Sequence, residues 1–262
     1  MSRPFKARLR AGELLRGTLL TMPATEVADL LAGAGFDWLF VDAEHGALDP
    51  RDVLLILQVV AGRTPCLVRV PVLEEAWIKR VLDAGADGII VPQVSTAEQA
   101  EQAVRYAQYP PRGTRGLGTA RANRYGLGLA GHLDRARAQV TVVVQAETAG
   151  AVRNIEAITR VPDLDAVFVG PFDLSASLGH PGEVDHPEVR SAIDRVAEVC
   201  RGAGVRTGIF ALAAAGLRGR PGQGFTLLAA GVDAALLGGA AEMLANDLRR
   251  DVVPDSAGPA GV

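Results

Sequence analysis

Short apolar runs alternate eight times with stretches of helical periodicity, and that alternation restricts the fold of this chain more than any other feature. The runs fall at residues 14–22, 36–42, 65–70, 87–94, 142–147, 165–169, 206–210 and 233–239. They are apolar nearly throughout, as expected of strands covered on both faces by crossover helices. Helices are predicted at 24–34, 50–61, 74–83, 149–159, 187–201 and 240–250. A capping box, Ser95-Thr96-Ala97-Glu98, opens another, and a short helix is expected between Gly224 and the last strand. A signature of glycine, one residue, aspartate and then an apolar run recurs at Gly35-Phe36-Asp37, Gly85-Ala86-Asp87 and Gly231-Val232-Asp233, with a weaker copy at Pro162-Asp163-Leu164-Asp165. These copies mark strands two, four, eight and six, the pattern of repeated double βα units. An open doubly wound sheet is the alternative, but no G-x-G-x-x-G follows the first strand. The expectation is a (β/α)8 TIM barrel, one domain over residues 1–253, with a frayed Pro/Gly/Ser tail at 254–262.

The 262 residues are 48 % hydrophobic and 22 % charged, enough for the core of such a barrel. A net charge of −3 argues against a nucleic-acid partner or a polybasic membrane contact. No run approaches the length of a membrane span and no apolar leader follows the basic N-terminus, so a soluble cytoplasmic protein is expected. Cys66 and Cys200 sit in apolar runs and read as small core residues. The stretch 110–131, rich in Gly, Arg and Pro, breaks the rhythm and reads as a functional excursion.

Barrels of this kind place chemistry at the mouth formed by the C-terminal strand ends. Asp42, Glu44 and His45 end strand two, Arg69 ends strand three and Gln93 follows strand four. Gln145 and Glu147 finish strand five, and Gly170, Phe172 and Asp173 follow strand six. Each has a structural reading: Asp173, or Glu147 with Thr148, could cap a helix, and Asp42 could pair with Arg69. Capping explains less well why two carboxylates, a histidine and an arginine share one rim. Glu147 and Asp173 suit Mg²⁺ or Mn²⁺, hard cations that leave positions open for a chelating ligand; Co²⁺ or Zn²⁺ are further options. A histidine-rich zinc site is not expected, since His132, His180 and His186 lie in loop or helix-start contexts.

Only Lys6 and Lys79 are lysines among the 27 basic residues, which excludes a mechanism. Imine chemistry needs a lysine at the mouth. Lys6 precedes the first strand, and Lys79 lies on the helix after strand three, where it should face solvent.

The segments F-D-W-L-F-V-D-A-E-H-G, L-V-R-V-P, V-L-D-A-G-A-D-G-I-I-V-P-Q-V, Y-P-P-R-G-T-R-G-L-G, Q-A-E-T and V-F-V-G-P-F-D-L-S-A-S-L-G occur in order within a match that runs over about residues 17–203. They resemble the HpcH/HpaI aldolase family of metal-dependent, class II pyruvate aldolases. The resemblance implies that Glu147 and Asp173 bind the divalent metal and that Arg69 holds the pyruvyl oxygen. It implies that His45, oriented by Asp42, works with water as acid and base. Amides around Gly170-Pro171-Phe172-Asp173 would receive the pyruvate carboxylate, with Gln145 nearby. Asp83 resembles a position that reaches a neighbouring subunit's site, in homohexamers that exchange their last helix. The implied reaction is reversible cleavage of a 4-hydroxy-2-oxo acid to pyruvate, or hydroxypyruvate, and an aldehyde. The chain departs from the pattern at Phe172, where several relatives carry a small residue, and after Gly231-Val232-Asp233. Both departures bear on the aldehyde. An acidic semialdehyde would want a further cation, for which Arg121, Arg124 and Arg218 are candidates. Other readings are a citrate-lyase-β-like acyl-CoA lyase using the Arg-rich excursion, a phosphate site at Gly238-Gly239, and a non-catalytic barrel.

Overall fold

The computed structural model describes residues 3–252, and the tail expected at 254–262 lies outside the described residues. Eight parallel strands close in sequence order into one barrel. They are β1 Leu15–Leu20, β2 Trp38–Asp42, β3 Cys66–Arg69, β4 Gly88–Val91, β5 Thr141–Ala146, β6 Ala166–Val169, β7 Arg206–Ala211 and β8 Phe225–Val232. The helices are α1 Phe5–Arg10, α2 Thr25–Gly33, α3 Pro50–Val59, α4 Glu75–Asp83, α5 Ala97–Ala107, α6 Leu129–Gln139, α7 Ala149–Arg153, α8 Ile155–Ile158, α9 Pro171–Ser177, α10 Pro187–Ala203 and α11 Asp233–Asp251. The (β/α)8 expectation is met. None of the described helices is long and apolar enough to cross a membrane.

Strand periodicity divides the core into two layers. Leu39 and Val41 point outward among Val68, Ile89 and the helix faces. Trp38 and Phe40 point inward with Leu67, Ile90, Val143, Phe168 and Leu227. Each large apolar side chain buried this way stabilises the barrel by about 1.5–3 kcal/mol. Two glycines make room for the inner aromatics. A Cβ on Gly17 would come within 2.7 Å of the Trp38 indole, and one on Gly208 would overlap the Phe168 ring. Phe40 and Phe168 then meet edge to face with centroids 5.5 Å apart, forming the floor of the mouth. The sequence did not announce α1, which brings Phe5 and Leu9 into this inner cluster. Phe5 packs 6.2 Å from Trp38, at the end of the barrel away from the mouth.

The repeated aspartate has a mechanical role. Asp37, Asp87 and Asp165 precede β2, β4 and β6, and each accepts the backbone N–H at the entry of the preceding strand: Arg16, Cys66 and Val142 respectively. That satisfies a donor the ladder leaves unpaired. The fourth copy misleads. Gly231-Val232 ends β8, and Asp233 starts α11 rather than a strand. Its carboxylate accepts from the Thr21 and Met22 amides at the exit of β1, the opposite end of the barrel. Strand eight is therefore 225–232, not 233–239; the residues expected to form a short helix are the strand itself, and two 3-10 turns, Ala214–Leu217 and Arg220–Gln223, precede it. An Ala/Leu-rich run fits either period, and only closure against β1 and β7 decides it. Gly238 and Gly239 fall inside α11, which removes the phosphate-nest reading. The predicted capping box shifts by one residue, to Thr96 and Gln99. The predicted helix at 149–159 is two pieces meeting at Asn154.

Among the described residues, most of α11 packs on nothing. Leu236, Leu237, Met243, Leu244 and Leu248 are all exposed.

Candidate active site

Arg69 leaves β3 beside the end of β2, and this parallel register sets the first contact. Asp42 and Arg69 are paired across the two strands, and the guanidinium donates to both Asp42 oxygens, at 2.8 and 2.6 Å. The expected structural pairing is thus real. Both groups are buried, a setting that suits the planar, bidentate Arg fork. Arg69 also lies over the Phe40 ring, 5.1 Å from its centroid. Its Nη1 faces the mouth, 3.4 Å from Gln145 Oε1 and 3.1 Å from Glu44 Oε2. The latter approach has no hydrogen-bonding geometry, and Glu44 Oε2 is left as a buried oxygen without a hydrogen-bond partner. Asp42 accepts as well from the Glu44 and His45 amides, at 3.0 and 3.3 Å. It holds His45 through the backbone; the ring itself is mostly exposed, with Nε2 3.7 Å from Glu44 Oε2.

Neither Glu147 nor Asp173 is a cap. Thr148, not Glu147, caps α7. The N-cap of α9 is Gly170, and among the described residues Asp173 has no hydrogen-bonding partner for its side chain. Glu147 is almost fully buried, accepts from the Gln93 amide at 2.7 Å and receives Gln145 Nε2 on its other oxygen. Gln93 adopts φ 57° to present that amide, a strained conformation for a residue with a side chain. A Cβ on Gly170 would lie 2.6 Å from Glu147 Oε2, so only glycine lets the β6 exit pass this close.

Burial pushes the Glu147 carboxyl up to about 7; the Gln93 amide opposes this, and the Asp173 and Glu44 charges add to it. Burial likewise raises Glu44. Glu44 and Glu147 thus each feel the Asp173 charge, beside one arginine that Asp42 already occupies. An orphaned oxygen and an excess of hard, partly desolvated carboxylates fit a divalent cation.

A pH dependence follows. The unfolded chain ionises this carboxyl near its ordinary 4.5 and the folded chain only near 7. Metal-free protein should therefore lose stability as pH rises between those values, by roughly 3 kcal/mol, and lose no more at this site above them. Cation binding displaces the proton, so Mg²⁺ or Mn²⁺ should raise Tm more at about pH 8 than at about pH 5.5. Thermal unfolding at both pH values checks this, and an equal rise at both would remove Glu147 from the ligand set.

The mouth opens into a cavity of about 350 Å³ lined by Asp42, His45, Arg69, Gln145, Gly170, Pro171, Phe172 and Asp173. The predicted rim residues therefore meet. Asp83, expected to reach a neighbouring subunit, lies elsewhere. That residue ends α4 at the opposite end of the barrel, 2.7 Å from buried Arg115. A model of the HpcH/HpaI aldolase/citrate lyase family matches residues 20–240. The chain belongs to this family. It is 43 % identical to a 4-hydroxy-2-oxovalerate aldolase of Rhodococcus jostii, over 89 % of this chain and 91 % of that protein. It is 41 % identical to a hydroxypyruvate/pyruvate aldolase of Cupriavidus necator, over 94 % and 92 %. The crystal structure of a family protein from Burkholderia cenocepacia superposes with a TM-score of 0.89 at 40 % identity, covering 93 % of this chain and 98 % of that one. The family member described here is an aldolase, a carbon–carbon lyase.

Other expectations need correction. Lys79 is half-buried near Gly116, outside the barrel, rather than facing solvent. Lys6 is buried against Asp165 at 3.0 Å, at the closed end. Neither lysine reaches the mouth. The remaining histidines are not isolated: ligand atoms of His180, Glu183 and His186 lie within 4.8 Å of one another in the loop before α10. There His186 accepts from the Glu188 amide and His180 pairs with the Glu188 carboxylate. The sequence reading missed Leu19, Thr21, Phe210 and Val232 as lining residues. They sit at or near the exits of β1, β7 and β8, and misplacing strand eight hid Val232.

Proposed function

We propose that this family member cleaves 4-hydroxy-2-oxo acids reversibly to pyruvate, or hydroxypyruvate, and an aldehyde, using Mg²⁺ or Mn²⁺ held by Glu147 and Asp173. The observation that carries it is that uncapped Asp173 lines one chamber with Arg69, while uncapped Glu147 lies against that lining, bound to Gln145 and subject to the Asp173 charge. The names of the Rhodococcus and Cupriavidus relatives support the same reaction class.

Glu147 and Asp173 would hold a divalent cation, which would supply Lewis-acid chemistry for the 2-oxo group. Arg69, clamped by Asp42, presents Nη1 to the oxygen that gains charge as the C3–C4 bond breaks. The amides that open α9 at Gly170–Asp173 lie where a carboxylate can dock, and Gln145 fixes Glu147 from below. His45, on a backbone held by Asp42, accepts the C4 hydroxyl proton directly or through water as the aldehyde departs. A proton returned to C3 completes pyruvate.

His45→Ala should lower kcat by roughly 10²–10⁴, the range for losing general acid–base help. Turnover close to wild type would take His45 out of the reaction. The function itself is tested by adding pyruvate and hydroxypyruvate to a panel of aldehydes with Mg²⁺ or Mn²⁺, read by product mass. No adduct, or full activity after EDTA stripping, would sink it.

The acyl-CoA alternative loses its main support within one chain. Arg115 binds Asp83, and Arg121 donates to the Ala84 and Leu57 carbonyls, so the Arg-rich excursion covers the end opposite the mouth. The exposed apolar face of α11 supports a homohexamer that exchanges this helix and lets Asp83 reach a neighbouring mouth. Native mass spectrometry reading six chains checks that. Buried, unpaired Cys66 and Cys200 fit a cytoplasmic setting.

A further inference from the structure

The chamber has two unlike walls. Asp42, Arg69, Gln145 and Asp173 line one side, and Leu19, Phe172, Phe210 and Val232 line the other. Behind the apolar wall lies a second cavity of about 270 Å³, between the β7 exit and α10. Pro171, Phe172 and Phe210 line both spaces. The partition is therefore two aromatic side chains, with ring centroids 6.4 Å apart and planes tilted by 53°. The far side is mainly apolar, with Val184, Ile193, Ile209, Leu212 and Ala213.

Resting on the aldolase reading, we propose that this second cavity receives the tail of a neutral, apolar aldehyde, with Phe172 and Phe210 setting its size and polarity. Cation placement carries the argument as much as shape. A carboxylated tail buried here needs a positive partner to offset its desolvation. Arg69 is the one lysine or arginine among the described residues of the chamber lining, and Asp42 and Glu44 hold it. Arg121 is tied to two carbonyls at the opposite end of the barrel. Arg124 and Arg218 line neither space. Arg220 does line the second cavity, but it donates to Gln223 at 3.0 Å and lies over the Phe225 ring. Asp185 also lines that cavity, and its charge repels a second carboxylate. An alkyl or aryl tail meets none of these costs and gains from leaving water.

The test is pyruvate addition by the full-length, Mg²⁺- or Mn²⁺-loaded protein to acetaldehyde, butanal, hexanal and 4-oxobutanoate. The expected result is that kcat/KM rises about fourfold per methylene along the neutral series, the rate equivalent of burying one CH2. Butanal should outperform 4-oxobutanoate at least tenfold. Two variants touch only the second cavity. Ala213→Phe fills it and should flatten the series, leaving acetaldehyde within about twofold of wild type. Val184→Arg adds a cation and should move the butanal/4-oxobutanoate ratio toward the acid by tenfold or more. Activity with acetaldehyde together with a flat series, or a preference for 4-oxobutanoate, overturns the subsite and leaves the aldolase standing. Failure with every aldehyde overturns both.

Discussion

Glu147→Gln and Asp173→Asn should each abolish activation by Mg²⁺ or Mn²⁺ and lower kcat/KM by on the order of 10³–10⁵. That is what several kcal/mol of lost Lewis-acid stabilisation amounts to at about 1.4 kcal/mol per decade. Both substitutions keep side-chain shape, so loss of folding does not explain the effect. Their stability effects should differ. Glu147 is nearly inaccessible and its carboxyl is pushed up to about 7, so the neutral amide removes a strained charge. Metal-free Glu147→Gln should lose the fall in stability between pH 4.5 and 7, while its NH2, turned onto the Gln145 NH2 when its oxygen keeps the Gln93 contact, costs one hydrogen bond. Asp173 is only half-buried, and its replacement should leave metal-free Tm nearly unchanged. Calorimetric titration with Mn²⁺ gives the deciding readout. Wild-type affinity in either variant would separate these carboxylates from the metal, whatever the activity.

The sequence carried the barrel because its evidence was redundant. Eight apolar runs, seven of them correctly placed, and three aspartates that cap strand entries all point to one closed sheet. The fourth aspartate had the same local pattern and an opposite role. What distinguishes Asp233 is its contact with Thr21 and Met22, 211 or more residues away in sequence. The polar half of the site was legible for the same reason as the strands: its members end them. The apolar half was not, because Phe172 and Phe210 become a wall only when two non-adjacent segments meet. Glu44 was legible as a rim residue but not as an orphaned oxygen. That property comes from Asp42 occupying the fork of Arg69 first. α1 escaped because a six-residue helix anchored by tertiary contacts carries little periodic signal of its own, and α6 because its 11 residues bury only Ala136.

Arg69→Ala should produce the largest combined loss. Removing the guanidinium leaves Asp42 buried and Glu44 half-buried with no cation between them. Breaking one partner out of a buried pair costs about 3–5 kcal/mol. For a chain of this size that corresponds to a fall in Tm on the order of 10 °C. Activity should fall further than stability alone accounts for. In the proposed mechanism Nη1 would face the reacting oxygen, and losing one such donor costs roughly 10²–10³ in kcat. Asp42 also holds the His45 amide, so releasing it would loosen the proposed proton acceptor at the same time. Arg69→Lys separates these contributions. It restores a positive charge beside Asp42 and should recover most of the Tm, but a lysine cannot span both Asp42 oxygens and still point a donor into the chamber. Its kcat should therefore stay at least tenfold below wild type while its Tm returns. A lysine variant recovering both would mean that Arg69 supplies charge alone. An alanine variant within tenfold of wild-type kcat, measured well below its Tm, would leave Arg69 a purely structural partner of Asp42.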